Sequence, residues 1–179
     1  MSAKGHTFLE ISTYLMANVE GLEFVDKDKG QLEDISNFVF PRPAVFMSFG
    51  RFEYTSTGTR TKVGKGVIRF RTAIENYADS YTGSINQEQA LAFFEFNEMV
   101  HQALEGLSGT YFTSLNKIAD EDDTDHKNVI VTVLEYECSL ADDSADQKKN
   151  FVLTDPDLDI RHKKNLLGKQ VYVSDDFIV

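Results

Sequence analysis

Near the start of the chain, apolar residues recur at steps of three and four positions, which predicts a helix with one buried face. These positions are Phe8, Ile11, Leu15 and Val19. Gly21 follows and favours a stop. We expect this helix to cover residues 7–18, a short strand to follow at residues 22–25, and a charged loop to fill residues 26–37.

A second helical stripe lies in the middle of the chain. Its apolar positions are Phe93, Phe96, Val100, Ala103, Leu104 and Leu107. Asn86 is placed to cap this helix, with Gln89 at the position that completes a capping box. Gly106 and Gly109 favour its end. The sequence therefore predicts a helix that lays one apolar face on a neighbouring layer.

Between the two helical stripes, the pattern is that of a long β-hairpin with an apolar strand at residues 44–49 and a second strand at residues 67–74. In the second strand, arginines alternate with apolar or small residues, as one exposed and one buried face require. The two sets are Ile68, Phe70, Thr72 and Ile74 on one face, and Arg69 and Arg71 on the other. Residues 55–66 are rich in Gly and Thr, so we expect a long, mobile tip.

The last third of the chain contains a run of β-branched residues at 129–140, which predicts a long strand. Residues 111–115 predict a shorter strand, and the acidic residues 120–125 predict a solvated loop. After Leu140, a polar stretch leads into a segment with only short β-like islands, which we interpret as an arm that needs a surface to lie on.

Together these elements predict an α+β fold, in which an antiparallel or mixed β-sheet with a long β-hairpin packs against two helices. We expect this domain at residues 1–140 and an extended C-terminal arm at residues 141–179. A chain of 179 residues with 41 % hydrophobic residues is long enough to bury a sizeable core.

Charge and composition narrow the function classes. The formal net charge is -11, which disfavours general affinity for nucleic acid. The single cysteine, Cys138, excludes an internal disulfide and a Cys-based zinc site, and we expect it to be a buried structural thiol. No apolar run approaches the ~20 residues of a membrane-spanning helix, and residues 1–6 lack the apolar region of a secretory signal. We therefore expect a protein made in a cytosol, with no membrane partner.

The hairpin reverses this charge locally. Residues 43–74 carry six basic side chains opposed only by Glu53, which gives a net charge of +5 against -16 for the rest of the chain. The six are Arg51, Arg60, Lys62, Lys65, Arg69 and Arg71. We interpret them as a surface that meets either DNA or an acidic face of a neighbouring subunit. The alternative is a solvated strand face with no partner.

No motif indicates catalysis. The sequence contains no GxGxxG, no GxxxxGK[ST], no GxSxG and no HExxH, and its four histidines are scattered. The acidic residues 120–125 offer carboxylate oxygens but lack the glycine and the terminal Glu of an EF-hand. We predict no enzyme activity, no cofactor and no metal. A small metal-dependent hydrolase that uses the acidic residues is kept as the alternative from another class.

The order of these elements resembles that of the tail-terminator and tail-completion proteins of long-tailed bacteriophages. The matching segments are Phe8-Leu9-Glu10-Ile11, Phe40-Pro41-Arg42-Pro43-Ala44-Val45, Val67 to Tyr77, Gln87 to Leu107, and Val129 to Leu140 after the Asp-rich loop. The resemblance covers about residues 7–140, and it includes no catalytic signature.

This resemblance implies a structural virion protein that forms a homo-oligomeric ring, commonly a hexamer, at the head-proximal end of the tail. Such a ring stops polymerisation of the tube and joins the tail to the neck. The implied partners are the tail tube protein, neck or connector proteins and DNA that passes through the lumen, with assembly in the host cytoplasm. The long C-terminal extension departs from the family pattern, so a head–tail connector or adaptor of the neck stays open as the alternative.

Overall fold

A computed structural model of the chain describes residues 1–34, 38–58, 60–124, 126 and 129–145. In chain order, the elements are α1 (Ala3–Asn18), β1 (Phe24–Lys27), β2 (Ala44–Ser56), β3 (Lys62–Glu75), α2 (Gln87–Leu104), β4 (Asn116–Asp123) and β5 (Val129–Asp142). The strands form one five-stranded sheet in the order β1-β2-β3-β5-β4. β1 runs parallel to β2, and all other neighbours are antiparallel. The predicted α+β class with a mixed sheet is confirmed.

Helix α1 begins four residues before the predicted start because Ser2 caps it. The Ser2 hydroxyl accepts a hydrogen bond from the backbone N–H of Gly5 at 3.2 Å, which satisfies one of the unpaired amides of the first turn. Ile11 and Leu15 are fully buried, as the helical spacing predicts. The strand predicted at residues 22–25 begins two residues later, as β1.

Helix α2 matches its predicted stripe, since Phe96, Val100 and Leu104 are buried. Its predicted capping box is wrong, because the side chain of Asn86 makes no capping hydrogen bond. The helix ends at Leu104, before Gly106, which has a φ of 76° that favours glycine.

Both helices contribute to an apolar core on one face of the sheet. Its buried residues include Ile11, Leu15, Val45, Met47, Ile68, Phe70, Phe96, Val100, Leu104, Leu134, Tyr136, Cys138 and Leu140. The alternation predicted for β3 is confirmed, because Ile68 and Phe70 lie in this core while Arg69 is exposed.

A second, smaller core covers part of the opposite face. Leu32 and Phe40, from the connection between β1 and β2, pack there against Phe46 and other buried residues of the sheet. The first four residues of β2 are therefore buried on both faces of the sheet. This explains why the sequence is continuously apolar there and shows no period of two.

The hairpin tip is much shorter than predicted. The twelve-residue tip expected at residues 55–66 is wrong, because β2 runs to Ser56 and β3 starts at Lys62, opposite it. Gly64 and Gly66 lie inside β3, directly across from Tyr54 and Phe52. The bulky rings occupy the space that the glycines leave, so these glycines belong to the strand and not to a turn.

The solvated loop predicted at residues 120–125 is also wrong, because residues 116–123 form the edge strand β4. An edge strand tolerates consecutive acids because one side of its backbone and most of its side chains face solvent. The strand predicted at residues 111–115 is reduced to one bridge between Phe112 and Leu140. The long strand predicted at residues 129–140 is confirmed as β5. Of the arm predicted at residues 141–179, the first two residues belong to β5, and residues 146–179 lie outside the described residues.

Candidate functional site

The hairpin is supported by other strands mainly on one side. β3 pairs with β5 over its whole length, up to Lys62 opposite Asp142. β1 pairs with β2 only at residues 44–47. Among the described strands, none pairs with the outer edge of β2 at residues 48–56, so this part of the hairpin presents free backbone groups.

At the base of the hairpin, Arg71 is enclosed by acidic side chains. Its side chain is 12 % exposed, and its guanidinium donates to Glu33 at 2.6 Å and to Asp123 at 2.7 Å, with Asp28 at 3.4 Å. The Nε2 atom of His126 lies 3.2 Å from the same group. Arg71 thereby joins the loop after β1 to the end of β4.

The pKa values agree with this enclosure. Burial opposes the charged form of Arg71, but the hydrogen bonds with Glu33 and Asp123 outweigh it and raise its pKa. In return, the hydrogen bond from Arg71 lowers the pKa of Glu33 below its ordinary value. The hydrogen bonds of the cluster therefore stabilise the charged forms of Arg71 and Glu33.

Two more of the six cations pair with acids on β5. The Nε atom of Arg69 donates to Oε1 of Glu135, directly opposite, at 2.5 Å. The ammonium of Lys65 lies 3.1 Å from Oε2 of Glu137, its diagonal neighbour. Both basic side chains are more than half exposed, so solvent screens these pairs. The positive charge of this part of the hairpin is nevertheless balanced within the chain.

Of the remaining three cations, Arg51 precedes Glu53, which pairs with Lys65, so Arg51 lies nearer the base of the hairpin than Lys65 does. Among the described residues, its ion pair is with Glu53, at 3.1 Å, and both side chains are largely exposed. Arg60 and Lys62 make no ion pair with any residue that the structure describes. We call Arg60 and Lys62 the basic end. The six predicted site residues thus divide into four that pair with acids of the chain and two, the basic end, that make no ion pair with the described residues.

Steric fit between aromatic residues and glycines holds the strands together near the basic end. A Cβ atom at position 66 would lie 2.5 Å from the ring of Phe52 and 2.5 Å from the carbonyl oxygen of Arg51. At position 64, it would lie 2.5 Å from the ring of Tyr54. Cross-strand contacts of this kind stabilise a strand pair without any charge.

A second charged surface lies across the sheet, where a cleft of about 380 Å³ opens between α2 and β4. Its lining includes four carboxylates, Glu98, Asp120, Glu121 and Asp122, which we call the acidic edge. Lys117 also lines it and pairs with Asp120 at 2.5 Å. With one ammonium against four carboxylates, the cleft is strongly negative.

A polar network beneath the acidic edge fixes one of these carboxylates. The hydroxyl of Thr132 donates to Oδ1 of Asp122 at 3.1 Å and accepts from the amide of Asn97 at 2.9 Å. The oxygen of that amide accepts from the hydroxyl of Thr72 at 2.7 Å. Because each partner is satisfied, this network connects α2, β3, β5 and β4 as a structural unit.

Two further side chains, Cys138 and His101, are of types that often take part in catalysis, and both lie in or beside the core. Cys138 is buried, and burial, with a smaller contribution from the charge of Glu137, raises its pKa to about 11. The prediction of a buried structural thiol is confirmed. His101 lies at the core boundary, with Nδ1 2.9 Å from the hydroxyl of Tyr136, and burial raises the pKa of that tyrosine.

Within the described ranges, no three His, Cys, Asp or Glu side chains are grouped in a way that could hold a metal ion. Neither of the helices described is both long enough and apolar enough to cross a membrane.

Sequence reasoning found the cations of the hairpin but missed the acids that neutralise half of them. Glu135 and Glu137 could have been found, because they alternate on a predicted strand and so point to the same face. Asp28 and Glu33 carry no such signal, because their positions in a loop reveal nothing about the strand they approach.

No family model matches this chain, and no curated protein matches it. Among solved structures, it is similar to a chain of the "Virion of native gene transfer agent (GTA) particle", with a TM-score of 0.37 and 9 % identity. The similarity covers 73 % of this chain and 84 % of that chain. A TM-score of this size does not establish a shared fold.

Proposed function

We propose that this chain is a structural virion protein that forms a ring at the head-proximal end of a phage-like tail. In this role it stops polymerisation of the tail tube and joins the tail to the neck, without enzyme activity or a cofactor. The observation that supports the proposal is the order of the elements. Helix α1, strand β1, the proline-containing segment, the β2–β3 hairpin, helix α2 and the long strand β5 follow one another in the order of the tail-terminator resemblance, except that strand β4 stands where that order has an acidic loop.

The distribution of charge is consistent with a ring. A subunit of a closed ring contacts its two neighbours through two different surfaces. The basic end and the acidic edge are two such surfaces of opposite sign, and they lie on different strands of one sheet. We propose six copies per ring, with the tail tube protein and neck or connector proteins as partners, and DNA passing through the lumen. The ring is assembled in the host cytoplasm and stays in the virion.

The first test is the mass and shape of the full chain in solution. We expect light scattering to show one closed oligomer of fixed mass, whose share of the protein increases with concentration. Negative-stain electron microscopy should show rings with a central opening. The second measurement adds the chain to polymerising tail tube protein, which we expect to give short tubes with a ring at one end. Tubes of unrestricted length with no bound ring would overturn the proposal.

A head–tail connector or adaptor of the neck is the second candidate. It is favoured by the 39 residues that follow Leu140, which exceed what the tail-terminator resemblance accounts for. Binding to isolated connectors, with no effect on tube length, would favour the adaptor. Capping of the tubes would favour the terminator.

A further inference from the structure

Beside the acidic cleft, the sheet ends in an edge that is open among the described residues. β4 pairs with β5 on one side, and no described strand pairs with its other side. Most of its side chains are exposed. Ile118 of β4 and Phe94 of α2 add apolar surface there, with 49 % and 57 % of their areas exposed. Unpaired backbone, apolar area and charge together are typical of a docking surface.

The charge of β4 restricts what can dock. Four consecutive acids, Asp120 to Asp123, occupy the second half of the strand. Two copies of β4 paired in parallel and in register would bring these carboxylates together, and like charges across paired strands are destabilising. The charge of this half of the strand therefore favours a cationic partner.

The basic end is an exposed cationic surface that makes no ion pair with the described residues, although Asp142 lies opposite Lys62 and balances part of its charge. It cannot reach the acidic edge of the same subunit. Lys62 pairs with Asp142, at one end of β5, whereas Asp122 pairs with Thr132. These two positions on β5 are ten residues apart, so they are separated by about 33 Å at ~3.3 Å per residue. A contact between the basic end and the acidic edge must therefore join two copies of the chain.

We propose that the acidic edge of one subunit binds the basic end of a second copy of this chain. The cleft beside Phe94 receives the side chains of Arg60 and Lys62, where the carboxylates attract them and the exposed ring offers a cation–π contact. The proposal deepens the proposed function, on which it rests, because it names the contact that would close the ring. The contact is heterologous, so each subunit uses its basic end on one neighbour and its acidic edge on the other.

The experiment reverses each surface separately in the full chain. The basic-end variant is Arg60→Glu/Lys62→Glu, and the acidic-edge variant is Glu98→Lys/Glu121→Lys. The second pair leaves the Lys117–Asp120 ion pair and the Asp122 network intact. At low salt, each variant alone should associate at least about tenfold more weakly than the original chain, because both contacting surfaces then have the same sign. The readout is the oligomer mass by light scattering and by analytical ultracentrifugation.

The decisive measurement mixes the two variants in equal amounts. The acidic hairpin of the first variant then meets the basic edge of the second, and the basic hairpin of the second meets the acidic edge of the first. Both contacts are restored, so the mixture should assemble although neither variant does so alone. Recovery in the mixture also shows that both variants are folded.

Matched controls change the same number of charges elsewhere. Lys27→Glu/Lys29→Glu and Glu20→Lys/Glu23→Lys alter exposed residues outside both surfaces and should associate like the original chain. Salt should weaken association of the original chain and of the mixture in parallel, since both rest on exposed charges.

Three results would overturn the proposal: an original chain that stays monomeric at high concentration and low salt, variants that associate normally, or a mixture that fails to assemble. A fourth result would also overturn the proposal. If the acidic-edge variant lost association while the basic-end variant kept it, the acidic edge would bind a different cationic partner. The proposed function is tested separately by the capping of tail tubes. If tubes are capped but the mixture fails, the ring is closed by another contact; if tubes are not capped, the proposed function itself fails.

Discussion

The base and the distal end of the basic hairpin both carry cations, yet these cations differ in what surrounds them. In the half near the base, Lys65, Arg69 and Arg71 each pair with acids of other elements. At the distal end, Arg60 and Lys62 have no acid of the described residues within ion-pair distance. A cluster of cations in a sequence therefore does not define one surface. The acids on neighbouring elements decide which cations remain available to a partner.

The boundary between the halves follows from the sequence of β5. On the face of the sheet that carries Arg69, β5 presents Glu135 and Glu137 and then Ser139 and Ala141. On that face, carboxylates therefore stop at Glu137. On the other face, Asp142 lies opposite Lys62 and balances part of its charge without forming an ion pair.

The largest loss of unfolding free energy is expected from removing Arg71, the most enclosed of the six cations. Arg71→Ala would leave the carboxylates of Asp28, Glu33 and Asp123 close together without their shared partner. Loss of one partner of a buried pair typically costs 3–5 kcal/mol, and since Glu33 is partly exposed we expect about 2–4 kcal/mol of unfolding free energy. Urea denaturation measures this loss.

Two companion variants sharpen the prediction. Arg71→Lys should recover only part of the stability, because an ammonium cannot replace the planar fork that binds two carboxylates. Arg60→Ala, at the basic end, should leave the urea midpoint unchanged. If Arg71→Ala were as stable as Arg60→Ala, the division between paired and available cations would be wrong.

A smaller loss is expected from filling the glycine positions that hold the distal half in place. In Gly66→Ala, the new methyl group would meet the Arg51 carbonyl oxygen as well as the Phe52 ring, and backbone atoms cannot move aside easily. Overpacking of this kind costs about 1–3 kcal/mol. Thermal or urea unfolding measures the change.

Gly64→Ala is the matched control, because the three atoms nearest to its methyl group all belong to the ring of Tyr54, a side chain that is 41 % exposed and can yield more easily than backbone. The gain in strand propensity offsets part of the clash, so we expect a cost below about 1 kcal/mol. Equal effects at both positions would contradict the idea that the backbone contact at position 66 is the rigid one.

Much of the fold could be predicted because its signals are local. The stripe of α2, the alternation of β3 and the β-branched run of β5 each follow from the spacing of residues within one element. β4 could not be predicted, since Asp120 to Asp123 have low strand propensity and become a strand only by pairing with β5, eight or more residues away. The same holds for Gly64 and Gly66, which are strand residues because aromatic rings on β2 cover them.

The candidate site was predictable only in part. The sequence locates all six cations on the hairpin, but the pairing of Arg69 with Glu135 depends on register, which local sequence does not set. The enclosure of Arg71 depends on a loop that folds back over the sheet. Sequence reasoning therefore identified the charge of the hairpin but not which part of that charge is available to a partner.

A pH series tests the paired half through Glu33. Its pKa is lowered in the folded chain, chiefly by the hydrogen bond from Arg71, from an ordinary value of 4.5. The stability gained from the charged carboxylate is therefore fully present above that value, and is lost as the pH falls through the lower, folded value. Glu33→Gln should be less stable than the original chain near pH 7 and should lose that difference in acid.

Because the side chain of Glu33 is 57 % exposed, solvent screens the pair, and we expect a difference of less than about 1 kcal/mol in unfolding free energy near neutral pH. The control is the same substitution in an Arg71→Ala background, where the pH-dependent difference should disappear. A difference that persists there would assign the lowered pKa of Glu33 to another group.

The smallest loss of unfolding free energy is expected from removing Arg69. Its hydrogen bond to Glu135 is nevertheless shorter than any contact that Lys65 or Arg71 makes with an acid. Distance alone would rank this pair above the contacts of Arg71, but the Arg69 side chain is 54 % exposed against 12 % for Arg71. Exposed pairs contribute about 0–1 kcal/mol because water and salt screen them. Arg69→Ala should therefore lower the unfolding free energy by less than about 1 kcal/mol, and the loss should shrink further in high salt.

Urea titrations at low and high salt measure the loss and its salt dependence, with Glu135→Gln as the reciprocal variant. A loss as large as that of Arg71→Ala, and independent of salt, would mean that hydrogen-bond length and not enclosure decides which cations hold the hairpin to the sheet.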